Sequence, residues 1–145
     1  MATELKVSER LTELMNEKGI SNSGLAEILG VTPCSVGRWK RGIKNMRLPQ
    51  FIALADYFNC SLDFLVGRSE TYIDFVPKEC PPFYEHFKKI LSDKGISRNK
   101  INTETSIKSS HFVDWKKGSQ PQIHSLTELA DYLDISIDFL VGRDR

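Results

Sequence analysis

Residues Leu54–Arg68 read LADYFNCSLDFLVGR and residues Leu129–Arg143 read LADYLDISIDFLVGR, identical at eleven of fifteen positions with an offset of 75. The likeness extends upstream. EKGIS at Glu17–Ser21 returns as DKGIS at Asp93–Ser97, and WKRG at Trp39–Gly42 returns as WKKG at Trp115–Gly118, both with an offset of 76. The second copy therefore lacks one residue after its glycine. Two copies with so long a period exclude a solenoid, whose short repeats fold only against neighbours. The pattern predicts two small homologous domains, 1–68 and 83–145, with a linker over 69–82. Pro77, Pro81 and Pro82 make that linker extended, and its apolar Tyr72, Ile73, Phe75 and Val76 either dock on a domain, form a partner surface or hang free.

With 40% hydrophobic residues, 27% charged residues and a net charge of +1, the composition is that of an ordinary soluble protein. No apolar run approaches the roughly 20 residues that cross a bilayer, and MATELKVSER lacks the apolar core of a signal peptide, so a cytoplasmic protein with no membrane partner is expected. Cys34, Cys60 and Cys80 are an odd number without a CxxC pair, which argues for free thiols rather than disulfides or zinc.

Periodicity is helical throughout the first copy. Leu11, Leu14 and Met15 give Ser8–Lys18 an apolar stripe that Gly19 ends. Ser21 caps a second helix with Leu25, Ile28 and Leu29 inward and Gly30 at its exit. Thr32 and Pro33 form an N-cap and first-turn pair for a third helix reaching about Arg41. Pro49 opens a fourth helix, and Ser61 caps a short fifth. None of these helices can bury a stripe alone, so they share a core.

The second and third helices are joined by a few residues around Gly30, a helix-turn-helix spacing. The stretch SNSGLAEILGVTPCSVGRWKRG, with Leu-Ala in the second helix, Gly-Val-Thr at the turn and Trp-x-x-Gly closing the third, resembles the Xre or Cro/C1-type helix-turn-helix family of phage repressors and bacterial regulators. The two LADY tails resemble the family's fourth and fifth helices. The resemblance implies an all-α fold of two tandem five-helix, lambda-repressor-like domains whose third helix enters the major groove of double-stranded DNA. It also makes a second copy of the chain a candidate partner, since single-headed members pair on palindromes, although one chain with two heads could serve two half-sites alone.

Residue chemistry suits such a use. With Val36 and Trp39 as inward anchors, a step of 100° per residue turns Cys34, Arg38 and Arg41 outward, flanked by Ser35 and Gly37. Arginine can bridge guanine O6 and N7, a serine hydroxyl can serve several bases, and small residues permit close approach. Arg38, Lys40, Arg41, Lys44 and Arg47 form a basic cluster without an intervening acid, as phosphate binding requires. Ser21, Asn22 and Ser23 start the second helix, where backbone N–H groups favour phosphate, and Ser21 reads equally as a simple cap. Thr32, Pro33 and Lys44 complete the expected DNA-contacting set of the first copy.

In the second copy Phe112, Trp115 and Gly118 keep the scaffold, but the outward trio becomes Ser110, Asp114 and Lys117. Aspartate repels phosphate and can accept only from a base amino group. Asn102 and Glu104 replace Ala26 and Ile28. Lys108, Ser109, Ser110, His111, Asp114 and Lys117 are its candidate contacts, and the copy is either a second reader or an assembly module.

No enzyme motif stands beside these. His86, His111 and His124 have no ligand partners at metal spacing, and there is neither a P-loop nor a glycine-rich dinucleotide turn. No cofactor, metal or small-molecule ligand is expected. Two function classes follow: a sequence-specific transcriptional regulator of repressor type, or an antitoxin-like or adaptor module that uses the same scaffold to bind protein.

Overall fold

Ser21 and Thr32 each turn a side-chain oxygen onto the N–H three residues ahead, at 3.0 and 3.2 Å, and so start two successive helices where the sequence placed their caps. The computed structural model describes residues 6–42, 46–69 and 80–143. Its helices are α1 (Val7–Lys18), α2 (Asn22–Leu29), α3 (Pro33–Lys40), α4 (Leu48–Phe58) and α5 (Leu62–Val66), then α6 (Phe83–Lys94), α7 (Arg98–Glu104), α8 (Ser109–Lys116), α9 (Ile123–Leu133) and α10 (Ile137–Val141). The chain is all-α: among the described residues there is no strand, only one isolated antiparallel bridge between Arg47 and Gln122. The centre of the expected linker, 70–79, lies outside the described residues, and with it Tyr72, Ile73, Phe75 and Val76.

Local signals set most of the boundaries. Gly19, Gly30, Gly67, Gly95 and Gly142 end helices in the left-handed region that only glycine enters freely. Asn59 and Asp134, at equivalent positions, end α4 and α9 in the same conformation, which short polar side chains tolerate. Trp39 and Trp115 are buried as expected, and Trp115 meets Phe83, Phe87 and Phe112 edge-on with centroids 5.4 to 5.9 Å away. One inward assignment fails. Ile28 is 52% exposed, because α2 buries the face of Leu25 and Ala26 and turns Ile28 to solvent.

The repeated tails meet. Asp63, on α5, accepts the Ile137 N–H that opens α10, at 3.2 Å from each carboxylate oxygen. Asp138, on α10, accepts the Leu62 N–H that opens α5, at 3.0 and 3.1 Å. Each carboxylate thus serves an N–H that its helix partner cannot satisfy internally, at the positive end of the helix dipole. The arginines that close the repeats complete the exchange. Arg143 donates to Asp138 and, across the junction, to Asp56 and the Cys60 carbonyl, at 2.8 to 3.0 Å. Arg68 donates to Asp63 and, across the junction, to Asp131 and the Ile135 carbonyl, at 2.5 to 3.0 Å. Every one of these contacts has its counterpart at an offset of 75, the reciprocity that a twofold axis imposes.

The axis also runs between the starts of α4 and α9. Leu48 N–H donates to the Pro121 carbonyl at 3.0 Å, and Ile123 N–H donates to the Met46 carbonyl at 3.4 Å, on either side of the Arg47–Gln122 bridge. The apolar core is continuous through both copies, and α10 packs on α5. Burial pushes the Asp138 carboxyl above the usual carboxylate range, against the opposing pull of the Leu62 N–H and the Arg143 guanidinium. Desolvation pushes the Cys60 thiol up to about 12.

Candidate nucleic-acid interface

Helix α3 owes its position to three anchors. Proline at its start fixes φ where no N–H is needed, Thr32 caps it, and Val36 and Trp39 are buried beneath it. The face left outside carries Cys34, Arg38 and Arg41, all exposed, with Ser35 and Gly37 half-buried at its edge. Pro33 is exposed at the helix entrance. A β-carbon on Gly37 would lie 3.3 Å from Arg41 Nη1 and 3.9 Å from Asn22 Nδ2, so the bare backbone leaves room for the guanidinium and for close approach from outside. Lys44 lies outside the described residues.

Several candidate contacts are already engaged within the protein. Ser21 spends its hydroxyl on the Gly24 N–H, which favours its reading as a cap. Thr32 Oγ1 lies 3.1 Å from Ser35 Oγ and accepts the Ser35 N–H, so the two hydroxyls form one local unit. Asn22 Oδ1 accepts from Lys40 Nζ at 3.1 Å, a bond across the turn that ties the start of α2 to the end of α3. Ser23 stands exposed beside it. The sequence reading placed Lys40 in a basic cluster but not in this tie, because an interaction over 18 residues has no local signature.

In the second copy the outward trio Ser110, Asp114 and Lys117 is exposed on α8, as the repeat predicts. The other candidates are mostly occupied. His111 Nδ1 accepts the Lys108 N–H at 2.9 Å, so the ring serves as the acceptor that starts the helix. Ser109 Oγ accepts from Asn102 Nδ2 at 2.9 Å.

The turn itself is built differently in the two copies. Ser106 stands where Gly30 stood, and α7 stops at Glu104 with Thr105 extended. Thr105 Oγ1 donates to the Ile101 carbonyl at 2.7 Å and accepts the Ile107 N–H at 3.1 Å, while Glu128 on α9 holds the Ser106 N–H at 2.8 Å and its hydroxyl. Side chains there replace the conformational freedom of a glycine. The helices also separate. Helix α2 lies against α3, whereas a cleft of ≈ 900 Å³, bordered by α6, α7 and α8, opens on the second copy with Arg98, Asn102, Phe112 and Val113 among its walls. Val113 and Asn102 stand on the walls of this cleft at the positions that Gly37 and Ala26 hold in the first copy.

The junction between the repeated tails is a second cluster of charged groups, and its acids and arginines were not singled out from the sequence. Their signal was present: Asp56, Asp63 and Arg68 recur as Asp131, Asp138 and Arg143, although surface charges need not be kept to keep a core.

Residues 11–65 match the helix-turn-helix family. No curated protein matches the chain. Among solved structures, the chain is similar to the solution structure of the SOS-response transcriptional repressor LexA from Eubacterium rectale, at 33% identity over 50% of this chain and 78% of that one, with a TM-score of 0.42. It is also similar to the crystal structure of a transcriptional regulator from Listeria innocua, at 28% identity over 70% of this chain and 87% of that one, with a TM-score of 0.43.

Proposed function

We propose that this chain, whose residues 11–65 match the helix-turn-helix family, is a sequence-specific DNA-binding transcriptional regulator of repressor type. The observation that carries the reading is the exposed basic face of α3, with Arg38 and Arg41 outward on a helix anchored by Val36 and Trp39. Helix α3 then enters the major groove, where Arg38 and Arg41 are placed for guanine edges or phosphates, and Ser23 and the start of α2 sit over the backbone. Within this reading residues 1–68 form a DNA-reading domain, 69–82 a linker, and 83–145 a second domain that reads DNA or serves assembly. The reading is that of a binding protein rather than an enzyme. Among the described residues no helix is long and apolar enough to cross a membrane.

Duplex binding against salt tests it. Neutralising several phosphates costs about 10³ to 10⁵ in affinity between 50 and 200 mM salt. A protein-binding adaptor on the same scaffold shows no duplex binding at either concentration, and that result would remove the proposal.

A further inference from the structure

The reciprocal junction fixes more than the fold. We infer that one chain, and not a pair of chains, occupies the DNA site, and that this site consists of two unlike half-sites, one under α3 and one under α8. The inference rests on the DNA-binding reading above and deepens it.

Three observations carry it. First, the surface at the axis is used within the chain. Arg143 has no exposed side-chain surface, and Asp63 and Asp138 have both helix starts as partners, so a second chain cannot reach these groups without unfolding the tail. The tether also holds the two copies at an effective concentration of about millimolar, which a free chain does not match. Second, the two outward faces differ in charge. Arg38 in α3 is answered by Asp114 in α8 and Cys34 by Ser110, so a symmetric operator would offer α8 a half-site that suits α3. An acid can accept from cytosine N4 but cannot serve guanine O6 and N7.

Third, the reach is compatible with neighbouring groove segments. Helix α3 ends at Lys40, seven residue steps from Arg47 at the axis, and α8 ends at Lys116, six steps from Gln122. At no more than about 3.6 Å per step plus about 5 Å across the bridge, the helix ends lie no more than about 52 Å apart. Successive major-groove faces are about 34 Å apart, within that limit.

The test is selection of duplexes from a random pool by the full chain, followed by sedimentation and footprinting of the complex. One chain per duplex, with two different protected segments centred about 10 base pairs apart, is the expected result. Two chains per duplex, a palindromic selected site, or a single protected segment would each overturn the inference and leave the DNA-binding reading standing. Absence of any enriched duplex overturns both. A second duplex, in which the α8 half-site is replaced by an inverted copy of the α3 half-site, should bind one chain at least about tenfold more weakly, the cost of one or more mismatched pairs. Equal affinity for the two duplexes contradicts the inference.

Discussion

Replacing Arg143 by methionine removes the most deeply buried charge of the junction while nearly preserving volume. The guanidinium has no exposed surface and donates to Asp138, Asp56 and the Cys60 carbonyl at 2.8 to 3.0 Å. In its absence Asp138, whose side chain is 3% exposed, keeps the Leu62 N–H but loses its counter-charge. Asp56 is 45% exposed and recovers water, so the cost concentrates on Asp138. Breaking a buried pair by removing one partner costs about 3 to 5 kcal/mol, a large share of a typical stability of about 5 to 15 kcal/mol.

The equivalent change at Arg68 should cost less, about 1 to 3 kcal/mol, because that arginine and its partners Asp63 and Asp131 are 12 to 21% exposed. The pH dependence has a definite sign. Asp138 already lies above the usual carboxylate range through burial, and loss of the cation raises it further. The folded variant then holds a proton that the unfolded chain releases, so its stability is greatest below the ordinary carboxylate range and falls as pH rises through the raised value. Urea unfolding of both variants from pH 5 to pH 8 measures all of this. The reasoning fails if Arg143→Met stays within about 0.5 kcal/mol of the parent, or if Arg68→Met proves the costlier change.

Arg38→Ala should weaken specific duplex binding by about 1 to 3 kcal/mol and relax preference at one base pair under α3, whereas Asp114→Ala should relax preference only within the half-site under α8 and raise nonspecific affinity slightly. Binding of both variants to the selected duplex and to duplexes altered in either half-site, at fixed salt, checks the pair, and discrimination lost in the opposite half-site, or in neither, contradicts the assignment. Trp39→Ala and Trp115→Ala should each cost about 3 to 5 kcal/mol in thermal or chemical unfolding, and an unaltered transition for either would contradict its place in the core. Exposed Cys34 should react with a thiol reagent at neutral pH while Cys60, buried and pushed up to about 12, stays unreactive until the chain unfolds. The stability Cys60 contributes as a protonated thiol is present in full below 9.0 and is lost as pH rises toward about 12, a loss that Cys60→Ala should abolish.

Helix starts and stops were legible because their causes lie within four residues. Ser21, Thr32–Pro33, Ser61 and Gly19 act on N–H and carbonyl groups of their own turn, and the duplication was plain in the letters LADY and DFLVGR. The outward placement of Cys34, Arg38 and Arg41 followed from helical geometry once Trp39 was taken as an anchor. Ile28 escaped that logic: three apolar residues close together on a short helix leave the buried stripe undecided until neighbours are in place, and they selected Leu25 and Ala26.

Only the tertiary structure decided how the two copies relate. A carboxylate that serves the first N–H of a helix 74 or 76 residues away carries no periodicity and no motif, and the same Asp and Arg letters would suit a solvated surface. The α7–α8 separation was equally silent, since the letters that put Val113 and Asn102 where the first copy has Gly37 and Ala26 do not state how far apart two helices stand. Sequence determines what acts over one turn of chain; which distant turns meet is settled by the packing of all the helices at once, through burial that is nondirectional and roughly proportional to area.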